Sequence, residues 1–210
     1  GDERVCGAEE WTTFHGVQFT RRQLRGIEKF LWGQEVLNAP CPLNPGKKVR
    51  ETHFARLGLE KLGGNPLTIL HWQKLHPAGG EPHFYSYASG AWYTEQKFAG
   101  TPTCTFRWYL DLRDIVPGSE SQTYEQQLAM VPPEYEVMTA IGNVAKDLHV
   151  YRKQGSYPNP NRYGRCTDTT SGGNRVYVGC GAGGGLDVSY WPDGKPYPYF
   201  GLSVSRKLPS

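Results

Sequence analysis

Apolar positions along the chain change their period several times, and each change predicts an element. Between Thr20 and Leu37, Leu24, Ile27 and Leu31 recur at helical spacing, Phe30 widens the stripe, and Arg21, Arg22, Arg25 and Glu28 fall elsewhere. This predicts an amphipathic helix over 20–37 with Thr20 as its N-cap, closed by Pro40, Pro42 and Pro45. Phe54, Leu57 and Leu62 predict a shorter helix over 51–62, stopped at Gly63 and Gly64. The β-branched and aromatic run 67–72 reads as a strand, and 84–98 mixes strand-like aromatics with turn residues. Segment 103–112 alternates, with Cys104, Phe106, Trp108 and Leu110 on one face, which is the period of a half-buried antiparallel strand. A short helix follows at 123–130. A stronger one spans 137–152, where Val137, Ile141, Val144, Leu148 and Tyr151 share a side until Gly155.

Beyond residue 154 the pattern changes to short alternating stretches at 175–178, 186–189 and 202–205. Val176, Val178, Leu186 and Val188 are expected to face a core, and Tyr177, Asp187 and Ser189 the solvent. The expectation is one α+β domain over 1–210, with a scaffold portion at 1–154 and a loop-rich, ligand-binding portion at 155–210. The helices at 20–37 and 137–152 should pack on a small antiparallel sheet whose last strand ends near Arg206, because their apolar stripes need a partner layer.

Composition sharpens this reading. Gly and Pro make up a fifth of the chain, yet 13% of residues are aromatic, so the fold is loop-rich and not disordered. A net charge of +3 with interleaved signs argues against a nucleic-acid binder. No apolar run is long enough to span a bilayer. The first residues lack a signal-peptide pattern, although a chain that does not begin with Met is consistent with a leader already removed. The compartment is left open, a cell-surface or extracellular setting included. Five cysteines at 6, 41, 104, 166 and 180 contain no C-x-x-C pair. Cys104 should be buried and reduced, and a bridge between Cys166 and Cys180 is neither required nor excluded.

Candidate chemistry is weighed against plainer readings. No cysteine sits in a nucleophile setting with a positioned base. His71, His76 and His83 are spaced for surface positions rather than for metal ligation. The glycine-rich run 179–185 lacks the Lys-Ser/Thr and the following helix of a phosphate loop, and reads as a turn between strands. Asp168, Asp187 and Asp193 offer oxygens for a calcium ion, without an EF-hand spacing. The clearest signal is compositional. Tyr157, Tyr163, Tyr177, Tyr190, Trp191, Tyr197 and Tyr199 lie among Gly, Ser, Asp, Asn and Pro, the mixture of a recognition surface.

The segments 165–168, 175–179, 185–188, Trp191 and 201–207 resemble the variable proteins of diversity-generating retroelements, most closely those of archaea and candidate-phylum bacteria. Segments 39–42, 46–54, 106–109 and 124–137 fit the same resemblance, which spans roughly 38–207. It implies a C-type-lectin fold of the formylglycine-generating-enzyme-like subtype, whose C-terminal portion is diversified by adenine-directed mutagenesis. Codons of the AAY type yield residues such as Tyr, Ser, Asp, Gly, Cys and Asn. On that basis the variable, ligand-binding positions are Tyr177, Cys180, Gly181, Asp187, Ser189, Tyr190, Asp193, Tyr197 and Tyr199, with Val176, Val178, Leu186, Val188, Trp191, Leu202 and Val204 as fixed scaffold. Lys195 does not arise from such a codon.

The resemblance implies a non-enzymatic binding protein with no catalytic residue, metal or cofactor. Its partner would be a variable macromolecular ligand, protein or cell-surface, with no nucleic acid and no membrane span. The alternatives are a formylglycine-generating-type oxidase, for which the wide separation of Cys166 and Cys180 is unfavourable, another Cys/His enzyme, or a calcium-dependent sugar-binding lectin.

Overall fold

The computed structural model describes residues 1–181 and 183–210; Ala182, in the glycine-rich run, lies outside them. In chain order the first elements are β1 (Val5–Cys6), α1 (Ala8–His15), α2 (Arg21–Gly26), α3 (Gln34–Asn38), β2 (Pro40–Cys41), β3 (Asn44–Lys48), α4 (Val49–Thr52) and β4 (His53–Leu57). Then come β5 (Lys61–Leu62), β6 (Asn65–Pro66), α5 (Ile69–Leu75), α6 (Lys97–Gly100), β7 (Trp108–Leu112), α7 (Tyr124–Leu128), β8 (Tyr135–Val137) and α8 (Ala140–Gln154). The C-terminal part adds β9 (Arg162–Thr169), β10 (Arg175–Cys180), β11 (Leu186–Trp191), β12 (Phe200–Leu202) and β13 (Val204–Arg206). The class is α+β, with short strands and no closed barrel among the described residues.

Two sheets carry the architecture: five strands in the order β1-β4-β7-β13-β8 and four in the order β11-β10-β9-β12. Most neighbours are antiparallel, but β1 pairs with β4 and β12 with β9 in parallel, against the expectation of a purely antiparallel sheet. The chain passes from one sheet to the other through Ser203, so the 155–210 portion completes both. Ser205 lies opposite Asp111 and donates from its hydroxyl to the Asp111 carboxylate at 2.7 Å. Asp111 also pairs with Arg56 at 2.5 Å, and both are buried, so one carboxylate ties β4, β7 and β13 together.

Helix α8 lies between the sheets. Its residues from Ala140 to Val150 are all buried, as expected of a helix covered on every side rather than along one stripe. It begins where Thr139 accepts from the Gly142 amide and ends at Gly155, whose φ of 79° is the left-handed conformation of a helix C-terminus. Asp168 accepts from the Ala140 amide at 2.7 Å, a carboxylate on the positive end of the helix. The expected helix over 137–152 is therefore present but starts later, Val137 belonging to β8. The last strand ends at Arg206, as expected.

Five other expectations are corrected. The helix over 20–37 is broken into α2 and α3, and where α2 ends the Ile27 carbonyl accepts from the Trp108 indole at 2.8 Å, a tertiary contact that ties this turn to β7. Its stripe is not a core face: Ile27 is buried, while Leu24 and Leu31 are 43% and 37% exposed. The segment 51–62 is the single turn α4 followed by β4, a strand buried at all five positions. The segment 67–72 is not a strand, since Thr68 caps α5 by accepting from the His71 amide. The alternation over 103–112 gives only β7, and 84–98 forms turns with one bridge between Phe84 and Leu186.

Candidate functional site

The four-stranded sheet has an inner and an outer face, and strand alternation decides which side chains lie on each. In β10 and β11, Val178 lies opposite Val188 and Cys180 opposite Leu186, and all four are buried. Val176 and Val178 belong to the same apolar cluster as Val144 and Leu148 of α8. On the outer face, Tyr177 lies opposite Ser189 and Gly179 opposite Asp187. Across the other ladder Tyr177 meets Arg165 and Gly179 meets Tyr163.

Phe200 is the hub of the outer face. Tyr177 stacks on it at 4.4 Å between ring centroids, Tyr197 lies at 5.0 Å, Trp191 at 5.3 Å and Tyr163 at 5.7 Å. Tyr199 packs on Tyr197 at 5.4 Å, with the Arg162 guanidinium 5.0 Å over its ring. Phe200 is buried, whereas Tyr197 and Tyr199 are 37% and 44% exposed, so the cluster is seated at its centre and open at its rim.

The loop carrying Tyr197 and Tyr199 is held by a buried arginine. Arg165 donates to the carbonyls of Gln122, Pro192 and Lys195 and to Oε1 of Gln127, at 2.9–3.2 Å. The Trp191 indole also donates to the Lys195 carbonyl, at 3.0 Å. Arg175 grips both carboxylate oxygens of Asp193 at 3.0 and 2.9 Å and lies 3.9 Å over the Tyr124 ring.

Of the expected site residues, Tyr177, Asp187, Ser189, Tyr197 and Tyr199 share this outer surface. Tyr177 is half-buried and stacked on Phe200, so it is part platform and part contact, and burial pushes its hydroxyl pKa up to about 12. Tyr190 is exposed but falls on the opposite parity, opposite Val176 at the sheet edge, where it packs on Trp92 at 4.7 Å. Gly181 lies beyond the end of β10, where a Cβ would stand 2.7 Å from the Tyr163 hydroxyl. Cys180 is corrected: it is buried on the inner face, and burial raises its thiol pKa to about 11. Trp191, expected as buried scaffold, is half-buried within the aromatic face.

Sequence reasoning missed Phe200 and Arg165, which organise the surface, and Tyr85, Tyr87 and Trp92, which border it from the 84–98 segment. Tyr87 donates to the Asp187 carboxylate and the Trp92 indole to the Val188 carbonyl at 2.9 Å. Nothing local in 84–98 announces that role; only the bridge to β11 brings it there.

The other candidates are dispersed. Asp168 caps α8, Asp187 meets Tyr87, and Asp193 meets Arg175, so the three acids do not converge. Among the described residues no three His, Cys, Asp or Glu side chains are grouped to hold a metal ion. All five cysteines are free and buried, Cys104 included, and Cys180 lies opposite Arg162 rather than Cys166. Comparison with known protein families, characterised proteins and solved structures finds no match to this chain.

Proposed function

We propose that this protein is a non-enzymatic binding protein of the kind found in diversity-generating retroelements. On that reading it is a C-type-lectin-like frame that presents a diversified surface to a macromolecular ligand. The observation that carries the reading is the division of β10 and β11. Aliphatic side chains pack inward on α8, while Tyr, Ser and Asp project from the opposite face beside an exposed tyrosine loop. Tyrosine offers wide contact area with few rotatable bonds, and serine and aspartate add adaptable hydrogen bonding. The face can thus change composition while the frame that holds it stays the same.

A display library tests this. Asp187, Ser189, Tyr190, Tyr197 and Tyr199 are randomised together, Tyr177 being kept because it packs on Phe200. Most members should be displayed at the parental level, and selection on a chosen folded protein such as lysozyme should yield specific binders. General loss of display would overturn the reading. In the source genome, the coding segment for residues 175–199 should have a near-copy that differs at adenines; a unique segment would count against the retroelement origin.

A further inference from the structure

The geometry points to Asp187 and the tyrosines around it as a seat for an organic cation, the guanidinium or ammonium group of a ligand side chain. This rests on the outer face being the recognition surface and adds which chemistry the present version selects.

Tyr163, Gly179 and Asp187 form one row across β9, β10 and β11. Gly179 has no side chain to separate its neighbours, and a Cβ there would stand 2.3 Å from the Arg162 carbonyl and 2.7 Å from the Tyr163 ring. The next row contributes Tyr177 and Ser189. From the 84–98 segment Tyr87 reaches over to Asp187, with Tyr85 edge-on to it at 4.8 Å and 48% exposed. Asp187 is therefore a half-buried carboxylate bordered by tyrosine rings.

It has no cationic partner among the described residues. Its donors are the Tyr87 hydroxyl and the Val188 amide, both neutral. The arginines of β9 and β10 are committed elsewhere, Arg162 to Glu120 at 3.8 Å and to the Tyr199 ring, Arg165 to Gln127 and the carbonyls of Gln122, Pro192 and Lys195, and Arg175 to Asp193. A carboxylate withdrawn from water without an opposite charge is costly, and burial accordingly holds this one above the usual carboxylate range. An arriving cation offsets that cost and also meets the negative faces of the rings. An anion would meet like charge, and a neutral sugar would leave the charge unmatched.

The test uses the full chain carrying 13C-labelled tyrosine, titrated with Nα-acetyl-arginine amide, Nα-acetyl-trimethyllysine amide and, as an anionic control, acetate. Both cations should shift tyrosine ring resonances saturably and acetate should not; the better of the two identifies the head group. Asp187→Asn should weaken cation binding roughly tenfold or more, as loss of a desolvated charge partner does. If Asp187→Asn fails to fold, the Asp187 carboxyl is titrated in the unmodified protein. Saturating cation should lower its midpoint, and an unchanged midpoint overturns the proposal. Absence of any cation response, or equal binding by Asp187→Asn, also overturns it. Either failure leaves the recognition surface standing, because that reading is judged separately by whether the randomised face still folds.

Discussion

Replacing Arg165 by methionine keeps an unbranched apolar stem and removes every donor the guanidinium supplies. The Gln122 carbonyl and the Gln127 amide oxygen would lose their partner, while the Pro192 and Lys195 carbonyls keep the Lys195 amide and the Trp191 indole. Buried acceptors left unpaired cost more than the bond itself is worth, so a loss of about 2–4 kcal/mol is expected from the urea midpoint. Lysine should recover little, because one ammonium cannot span four acceptors around a planar fork. A midpoint within experimental error of the parent would show that the loop is held by other means. At the same scale, the thiols should react slowly. Cys6 and Cys166 are buried and their thiols are pushed far up by that burial, which starves the reactive thiolate. A thiol reagent should find little in the native protein and five groups after denaturation; rapid modification of Cys104 in native buffer would contradict its buried position.

At the scale of elements, the exposed and the buried positions of the C-terminal part should separate in thermal melts. Tyr190→Ser and Tyr199→Ser are surface changes, expected to cost within about 0.5 kcal/mol each. Val188→Ala and Leu202→Ala remove buried side chains and should cost several times more, Leu202→Ala about 2–5 kcal/mol. Tyr177→Ser should fall between, at about 1–3 kcal/mol, since stacking on Phe200 makes it half scaffold. If the exposed pair melts the protein as badly as the buried pair, those tyrosines are core. This division was legible in the sequence because β10 and β11 alternate cleanly, and α8 was legible because its apolar residues recur over fifteen positions. Elsewhere tertiary contacts overrode local pattern. β4 is buried on both sides with His53 and Arg56 inside it, so it shows no alternation and imitates a helix face. Residues 20–37 keep a helical period, but the bond from Trp108 to Ile27 is invisible until the chain is folded. The aromatic face was legible in composition, whereas its hub Phe200 and the Tyr87 contact depend on strand order.

For the whole molecule, buried imidazoles set the response to acid. Burial pushes His15 down to about 3 and His53 to about 4, lowers His76, and holds His149 well below the usual histidine range. The unfolded chain takes up these protons near pH 6.5, and the folded chain resists until the lower values. Stability should therefore be full above about pH 6.5 and fall as the pH drops towards about 4. Asp147 works the other way: burial raises its carboxyl to about 6, so acid favours its folded state. Asp187, also raised by burial, acts in the same direction, so two carboxyls oppose four imidazoles and the net effect remains a loss. The melting midpoint should decline steadily between about pH 7 and pH 4.5; a midpoint that holds or rises would refute the assignment of neutral buried histidines.

A single residue, Ser203, separates β12 from β13, and β13 fills the lane between β7 and β8. Translation runs towards that strand. While the ribosome is still adding residues 175–199, β7 and β8 have an open gap between them and exposed hydrogen-bonding edges. The four-stranded sheet lacks its edge strand until residue 202 has left the exit tunnel and the five-stranded sheet cannot close until residue 206 has, which makes folding a late event that follows synthesis of the whole aromatic face. Stalled nascent chains ending before β13 should be cut readily by protease, and chains extended well past it should resist. On the proposed reading of a diversified face, cellular quality control would then judge each version as a finished object, discarding those whose new residues hinder closure and passing the rest unaltered.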